Sequence, residues 1–206
     1  MNFLAHLYLS YSNKNILIGN FIADAVKGKK HVNYPTEIQA GILLHREIDS
    51  YTDTHPIVRK SKQRLNKQYR HYSGVIIDIL YDHFLAKNWQ LYSEIPLAIY
   101  AENVYTFLED KAEIFPQKIQ HLLPYMIQYN WLLNYASVEG IERVLKGMNT
   151  KTKGVSKMDL AIEDLKLHYS EFEEDFNTFF EELIQFTKNK TTTLLLKWKK
   201  SYFLLR

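Results

Sequence analysis

The chain has 206 residues, 46% of them hydrophobic, with 26 Lys and Arg against 23 Asp and Glu and a formal net charge of +3. That length buries a core as one large domain, and the composition is ordinary for a soluble globular protein. No cysteine is present, which excludes a disulfide framework, a thiolate zinc site and a cysteine nucleophile.

The opening Met1-Asn2-Phe3-Leu4-Ala5-His6 lacks the basic start and small-residue cleavage site of a signal peptide. No apolar run approaches the roughly eighteen residues needed to cross a bilayer, so a cytoplasmic protein without a membrane partner is expected. Helical periodicity dominates and strand signals are nearly absent. The reading is all-α, a single-domain helical bundle.

The spacing predicts a first helix over 2–11, where His6 lies between the faces marked by Phe3 and Leu9. In a second, 14–27, Ile16, Leu17, Ile18, Phe21, Ile22 and Val26 cover most of the surface, yet Asp24 is embedded among them, one turn from Asn20. Gly28 fits a helix end. The third, 35–53, begins at Pro35, suited to a first-turn position. Its stripe Ile38, Ile42 continues at helical steps as His45 and Asp49, and Asp53 extends it. A fourth, 57–70, belongs to a stretch that carries Arg59, Lys60, Lys62, Arg64, Lys67 and Arg70 and no acid. A solvated face and a docking surface for an acidic partner both remain open.

The fifth helix, 74–88, with Ser73 as its N-cap, carries the sharpest anomaly. It is apolar on every side apart from Asp78, Asp82 and His83, and a helix hydrophobic all round is a buried helix. The two aspartates lie only about 40° apart around the axis. Like charges that close raise one pKa unless a cation neutralises them. Either one acid stays protonated or a metal is held.

Further helices are expected over 94–110, 117–134, 138–148 and 156–187, with Gly147 and Gly154 at helix ends and a loop over 149–156. Phe172, Phe176, Phe179, Leu183 and Phe186 form an amphipathic stripe. Around it gather Glu171, Glu173, Glu174, Asp175, Glu181 and Glu182. Helices within 1–90 are expected to form the site and those of 91–187 to pack behind it. The tail 188–206 is ambiguous.

Each polar intrusion alone has a plain explanation. His6 fits a hydrogen-bonded core histidine, Asp24 a cap, Asp53 a helix end, and Asp49 a pair with Arg46. Jointly, Asp24, Asp49, Asp78 and Asp82 outnumber the nearby cations, Arg46 and Lys27. A His/Asp cluster without Cys suits Mn²⁺, Mg²⁺ or Fe²⁺ better than structural zinc, and bundles build such sites from facing helices. There is no P-loop, dinucleotide fingerprint or nucleophile elbow. His45-Arg46-Glu47-Ile48 lacks the second His of a zinc-protease helix.

Met1-Asn2-Phe3-Leu4-Ala5-His6-Leu7, Gly19-Asn20-Phe21-Ile22-Ala23-Asp24, Gly41-Ile42-Leu43-Leu44-His45-Arg46-Glu47-Ile48-Asp49, Thr52-Asp53 and Tyr81-Asp82-His83-Phe84-Leu85 resemble the motifs of the acyl carrier protein phosphodiesterases, an unusual form of the HD-type metal-dependent phosphohydrolases. The resemblance is dense over 1–90 and thinner through Asn130-Trp131-Leu132 and Val144-Leu145-Lys146-Gly147-Met148. The ordinary consecutive His-Asp pair is missing; the only adjacent pair is Asp82-His83, in reverse order.

The resemblance implies an HD-domain-like fold and hydrolysis of holo-acyl carrier protein to apo-protein and 4′-phosphopantetheine, with Mn²⁺ or Mg²⁺. It puts His6, Asp24, His45, Asp49, Asp78, Asp82 and His83 forward as metal positions, with Asp53 also under suspicion. Asp24, His45, Asp49 and Asp78 are the candidates for catalysis. It also gives Arg59, Arg64 and Arg70 an acidic carrier protein to meet. Two other readings stay open: a phosphohydrolase for a nucleotide or small phosphoester, and a non-enzymatic helical module that docks an acidic protein. Nucleic acid is the weakest partner, since no recognised binding motif accompanies the basic residues.

Overall fold

The computed structural model describes residues 1–11, 13–65 and 67–203, with 197–203 by their backbone alone. Its α-helices are α1 (Phe3–Tyr8), α2 (Lys14–Ile22), α3 (Thr36–Thr54), α4 (Pro56–Arg64), α5 (Ser73–Lys87), α6 (Leu97–Asp110), α7 (Gln117–Gln128), α8 (Trp131–Asn134), α9 (Val138–Lys151), α10 (Ala161–Leu167) and α11 (Tyr169–Phe203). No strand occurs among the described residues, and no helix there is long and apolar enough to cross a membrane.

α5 is the central element. Ile76, Ile77, Ile79, Leu80, Tyr81, Phe84 and Leu85 are all buried, and the helix packs against α1, α4, α9 and α11. The stripe on α11 supplies the opposite wall, with Phe172, Phe176, Phe179, Phe180 and Leu183 fully covered. Each such side chain stabilises the fold by about 1.5–3 kcal/mol. α2 and α3 cross backbone to backbone. A Cβ on Gly19 would sit 2.1 Å from the Ile38 carbonyl oxygen, and one on Gly41 2.2 Å from that of Ile16. This closeness brings Asn20, next to Gly19, up to His45, one turn beyond Gly41.

Several boundaries differ from the sequence expectation. α2 ends at Ile22, and Ala23–Ala25 form a 3₁₀ turn, so Asp24 is an exposed turn residue instead of an acid embedded in a helix. The 57–70 segment breaks after Arg64: Leu65 turns extended, and a 3₁₀ segment over Lys67–Tyr72 carries Arg70 at φ 50°. This path buries Leu65 and Tyr69, and the Tyr69 hydroxyl donates to Asp164. Ser73 is the first residue of α5, not its cap, because its hydroxyl donates backward to the Arg70 carbonyl. Asn130, left-handed at φ 42°, divides 117–134 into α7 and α8. α9 runs through Gly147 to Lys151, shortening the expected loop. The 156–187 segment is split at His168, and α11 continues through the ambiguous tail to Phe203. The last three positions of that tail lie outside the described residues.

The basic and acidic regions of the sequence face each other. Lys60 and Arg64 both pair with Asp175 of α11, whose carboxylate also accepts from the Ser61 hydroxyl. Two of the six basic residues are thus paired across to one acid of α11.

Candidate active site

A cavity of ≈ 210 Å³ lies among α1, α2, α3 and α5, with His6, Asn20, Asp24, His45, Asp49 and Asp78 on its polar side. Phe3 and Phe21 form an apolar wall, and Asp53 and Thr52 lie at the α3 end. The volume accommodates a phosphodiester group and not a folded domain.

Its centre is a pair of stacked imidazoles, His6 and His45, with ring centroids 3.8 Å apart. Asp49 touches both, Oδ1 lying 3.1 Å from His6 Nε2 and Oδ2 3.1 Å from His45 Nε2. Asp24 Oδ1 is 3.3 Å from the same His45 nitrogen. Ligand atoms of His6, His45 and Asp49 fall within 4.8 Å of one another, a compact set of nitrogen and oxygen donors.

Asn20 fixes the rings. Its Nδ2 donates to the His6 carbonyl and to Ser10 Oγ, which leaves Oδ1 as an acceptor. His6 Nδ1–H must therefore donate to that oxygen, at 2.8 Å. His45 Nδ1–H donates to the Asn20 backbone carbonyl, also at 2.8 Å. Both Nε2 atoms are turned toward the carboxylates. Such outer hydrogen bonds fix tautomer and ring orientation in metal-ligating histidines.

The electrostatics separate the two rings. Burial, reinforced by the neighbouring charge of His45, lowers the His6 pKa to about 4. Burial also opposes charge on His45, but hydrogen bonds to Asp24 and Asp49 outweigh it and raise its pKa to about 9. Asp49 is held well below the ordinary carboxylate range, because the two imidazoles overcome the effect of its burial. Burial disfavours charge on His6, whose Nε2 lies 3.1 Å from Asp49 Oδ1. With His45 Nε2 and the second Asp49 oxygen close by, these atoms form a donor set that could hold a cation.

The two aspartates of α5 diverge. Asp78 reaches the pocket, where its Oδ1 lies 2.9 Å from the Met1 α-ammonium; that ammonium is 3.9 Å from Asp49. Burial works against charge on this ammonium, yet Asp78 and Asp49 raise its pKa. Asp82 is fully buried and accepts from the backbone N–H groups of Asn2, Leu4 and Ala5 at 3.3, 2.7 and 3.3 Å. It docks the start of α1 and is not part of the cluster. His83, about 100° further round the helix, has both nitrogens engaged elsewhere. Nδ1–H donates to the Tyr135 carbonyl, and Nε2 meets the Tyr169 hydroxyl.

Of the proposed metal positions, His6, Asp24, His45, Asp49 and Asp78 share the pocket, while Asp82 and His83 are committed to packing. Asp53 lies at the rim and pairs with Lys62. Arg46 does not pair with Asp49; it donates to the Val26 carbonyl and so secures the turn that carries Asp24. Asn20 and the Met1 ammonium were not singled out as site groups. Asn20 carried a usable signal, a polar side chain in an otherwise apolar helix; the ammonium, belonging to no side chain, carried none.

Comparison with known proteins adds to this geometry. The model of a family described as acyl carrier protein phosphodiesterase matches residues 1–183, which contain every residue of the pocket. The acyl carrier protein phosphodiesterases of Photorhabdus laumondii and Yersinia pestis are each 34% identical over 191 residues, covering 92% of this chain and 96% and 99% of their own. That of Escherichia coli is 34% identical over 195 residues, covering 92% of this chain and 99% of its own. No solved structure matches the chain significantly.

Proposed function

The chain belongs to the acyl carrier protein phosphodiesterase family, and on that premise we propose that the pocket around His6, His45 and Asp49 is its hydrolytic centre and holds a divalent cation. The reaction cleaves the phosphodiester between the carrier serine and its prosthetic arm. Water adds at phosphorus, the serine oxygen leaves with a proton, and apo-carrier protein and 4′-phosphopantetheine are released.

The observation that carries the reading is the convergence of donor atoms from His6, His45 and Asp49 within 4.8 Å of one another. His6, His45 and Asp49, with Asp24 beside them, would hold the cation. Two imidazoles among carboxylates suit Mn²⁺ better than Mg²⁺, which prefers oxygen alone. When bound, such a cation polarises the phosphoryl oxygens and acidifies water. Asp24, open at 70% exposure and beside His45, suits the role of proton acceptor from the attacking water. The Met1 ammonium, held by Asp78 beside Asp49, offsets part of the negative charge that an anionic substrate meets. Purified protein with Mn²⁺ should convert holo- to apo-carrier protein, and chelation should stop it. Full turnover after chelation would refute the cation.

Asn20 should matter through the rings. Asn20→Ala is expected to weaken cation affinity by about 10–100-fold, the usual cost of losing an orienting hydrogen bond, with activity returning at excess Mn²⁺. An unchanged Mn²⁺ requirement would remove Asn20 from this role.

The docking surface needs revision. Arg64 is spent on Asp175 and lies against Phe172, so it is structural. Arg59 and Arg70 are exposed and remain candidates to meet an acidic carrier protein. Charge reversal at both should slow association more at low salt than at high, while Arg64→Glu should instead destabilise the fold. Salt-independent kinetics in the double variant would return Arg59 and Arg70 to an ordinary solvated face.

A further inference from the structure

Four carboxylates, Asp24, Asp49, Asp53 and Asp78, line a pocket whose substrate group is an anion and whose phosphomonoester product is more negative still. The Met1 ammonium is already held by Asp78. The basic row on α4 offers another charge. Lys60 and Arg64, four residues apart, share one face and both reach Asp175. Lys62 lies midway between them, about 200° round the axis from either, and points the other way. Its Nζ is 3.1 Å from Asp53 Oδ1 at the pocket rim.

The surroundings suit an ammonium that changes partner. The Lys62 side chain is 25% exposed and Asp53 71% exposed. An ion pair this open contributes little and separates easily. The ammonium passes over the first turn of α5 where position 74 is glycine; a Cβ there would lie 3.5 Å from Nζ. The contact with Asp53 spans the corner between α3 and α4, so the lysine is held at the mouth without being buried by it.

We propose that Lys62 is a phosphoryl-binding residue: its ammonium leaves Asp53 to contact a non-bridging oxygen of the phosphodiester and stays on the phosphomonoester product. The proposal rests on the reading of this pocket as the hydrolytic site.

The test compares Lys62→Gln, Lys62→Arg and Asp53→Asn with the wild type, in the presence of the divalent cation. Two quantities are read: KM against kcat for holo-carrier protein, and binding of inorganic phosphate by calorimetry. Loss of a charge-assisted hydrogen bond corresponds to about ten-fold or more in binding. Lys62→Gln should raise KM and weaken phosphate by that factor with a smaller change in kcat, and Lys62→Arg should recover most of both. Asp53→Asn frees the ammonium and should tighten phosphate. Wild-type affinity for phosphate in Lys62→Gln would overturn the proposal. So would equal weakening in Lys62→Gln and Asp53→Asn, which would make the pair a brace between helices. The phosphate measurement needs no turnover, so failure of the carrier-protein assay would count against the hydrolytic reading, while the phosphate result would still decide the role of Lys62.

Discussion

Asp49→Asn is expected to lower hydrolysis of the holo-carrier protein by about 10³-fold or more while the helical fold persists. Asp49 is the one carboxylate that touches both imidazoles, one oxygen to each at 3.1 Å. An amide keeps the shape but turns one oxygen into an N–H₂ donor, which cannot ligate a cation. A Lewis acid at a phosphoryl group is worth several kcal/mol in the transition state, and each 1.36 kcal/mol is ten-fold in rate. His45→Ala should lose a similar factor, since it removes the second nitrogen donor. Single-turnover release of 4′-phosphopantetheine, with Mn²⁺ content of the same sample, gives the answer. Near-normal turnover in Asp49→Asn with Mn²⁺ lost would show that the cation is not the agent of hydrolysis.

The sequence pattern read some of this structure closely, and the reason lies in local physics. α3 and α5 follow the expected 35–53 and 74–88 to within about a residue at each end, because long one-faced or wholly apolar helices leave little choice of period. His45 and Asp49 were visible as polar members of an apolar stripe, and the pocket contains both. The breaks were harder to see. α2 ends at Ile22 although apolar residues continue to Val26, and the turn that follows, secured by Arg46 on the Val26 carbonyl, brings Asp24 beside His45. Helix 57–70 breaks after Arg64 in a path that buries Tyr69 and Leu65, a tertiary demand absent from the periodicity.

The two acids of α5 show where pattern reasoning stops. One helical turn and about 40° separate Asp78 from Asp82, and a sequence can only say that they are near each other. The fold separates their roles: one meets an ammonium at the pocket and the other the amides of α1. The surplus of buried acid expected from residue types narrows to Asp82, since Asp24 is exposed and Asp49 and Asp78 are partly so, and the compensation for Asp82 comes from backbone groups that no composition count includes. The basic helix misled for a related reason. Its charges left a solvated face and a docking surface both open, and only the packed α11 reveals that Lys60 and Arg64 belong to Asp175 while Lys62 pairs with Asp53.

Asp82→Ala is expected to lose activity by losing structure, the opposite pattern from Asp49→Asn. The Asp82 carboxylate satisfies three backbone N–H groups at the start of α1, and that helix carries His6. Each buried donor left unpaired costs about 1–3 kcal/mol, so destabilisation by about 3 kcal/mol or more should follow. Asp82→Asn keeps one acceptor oxygen, leaves at least one of these N–H groups facing an amide donor, and should cost about 1–3 kcal/mol. The acid also makes stability depend on pH. Burial raises its pKa to about 7, against the opposing pull of the Met1 ammonium and of the three N–H groups. The unfolded value is about 3.9, so the folded chain binds this proton more tightly. Its stabilising contribution is complete below about pH 4 and is lost as pH rises through about 7. The asparagine variant lacks that titration. The stability advantage of the wild type over Asp82→Asn should therefore shrink between about pH 4 and pH 7. Urea midpoints of both proteins across that range would measure it; an advantage that stays flat or grows with pH would mean that Asp82 is ionised throughout and that the amides of α1 outweigh its burial.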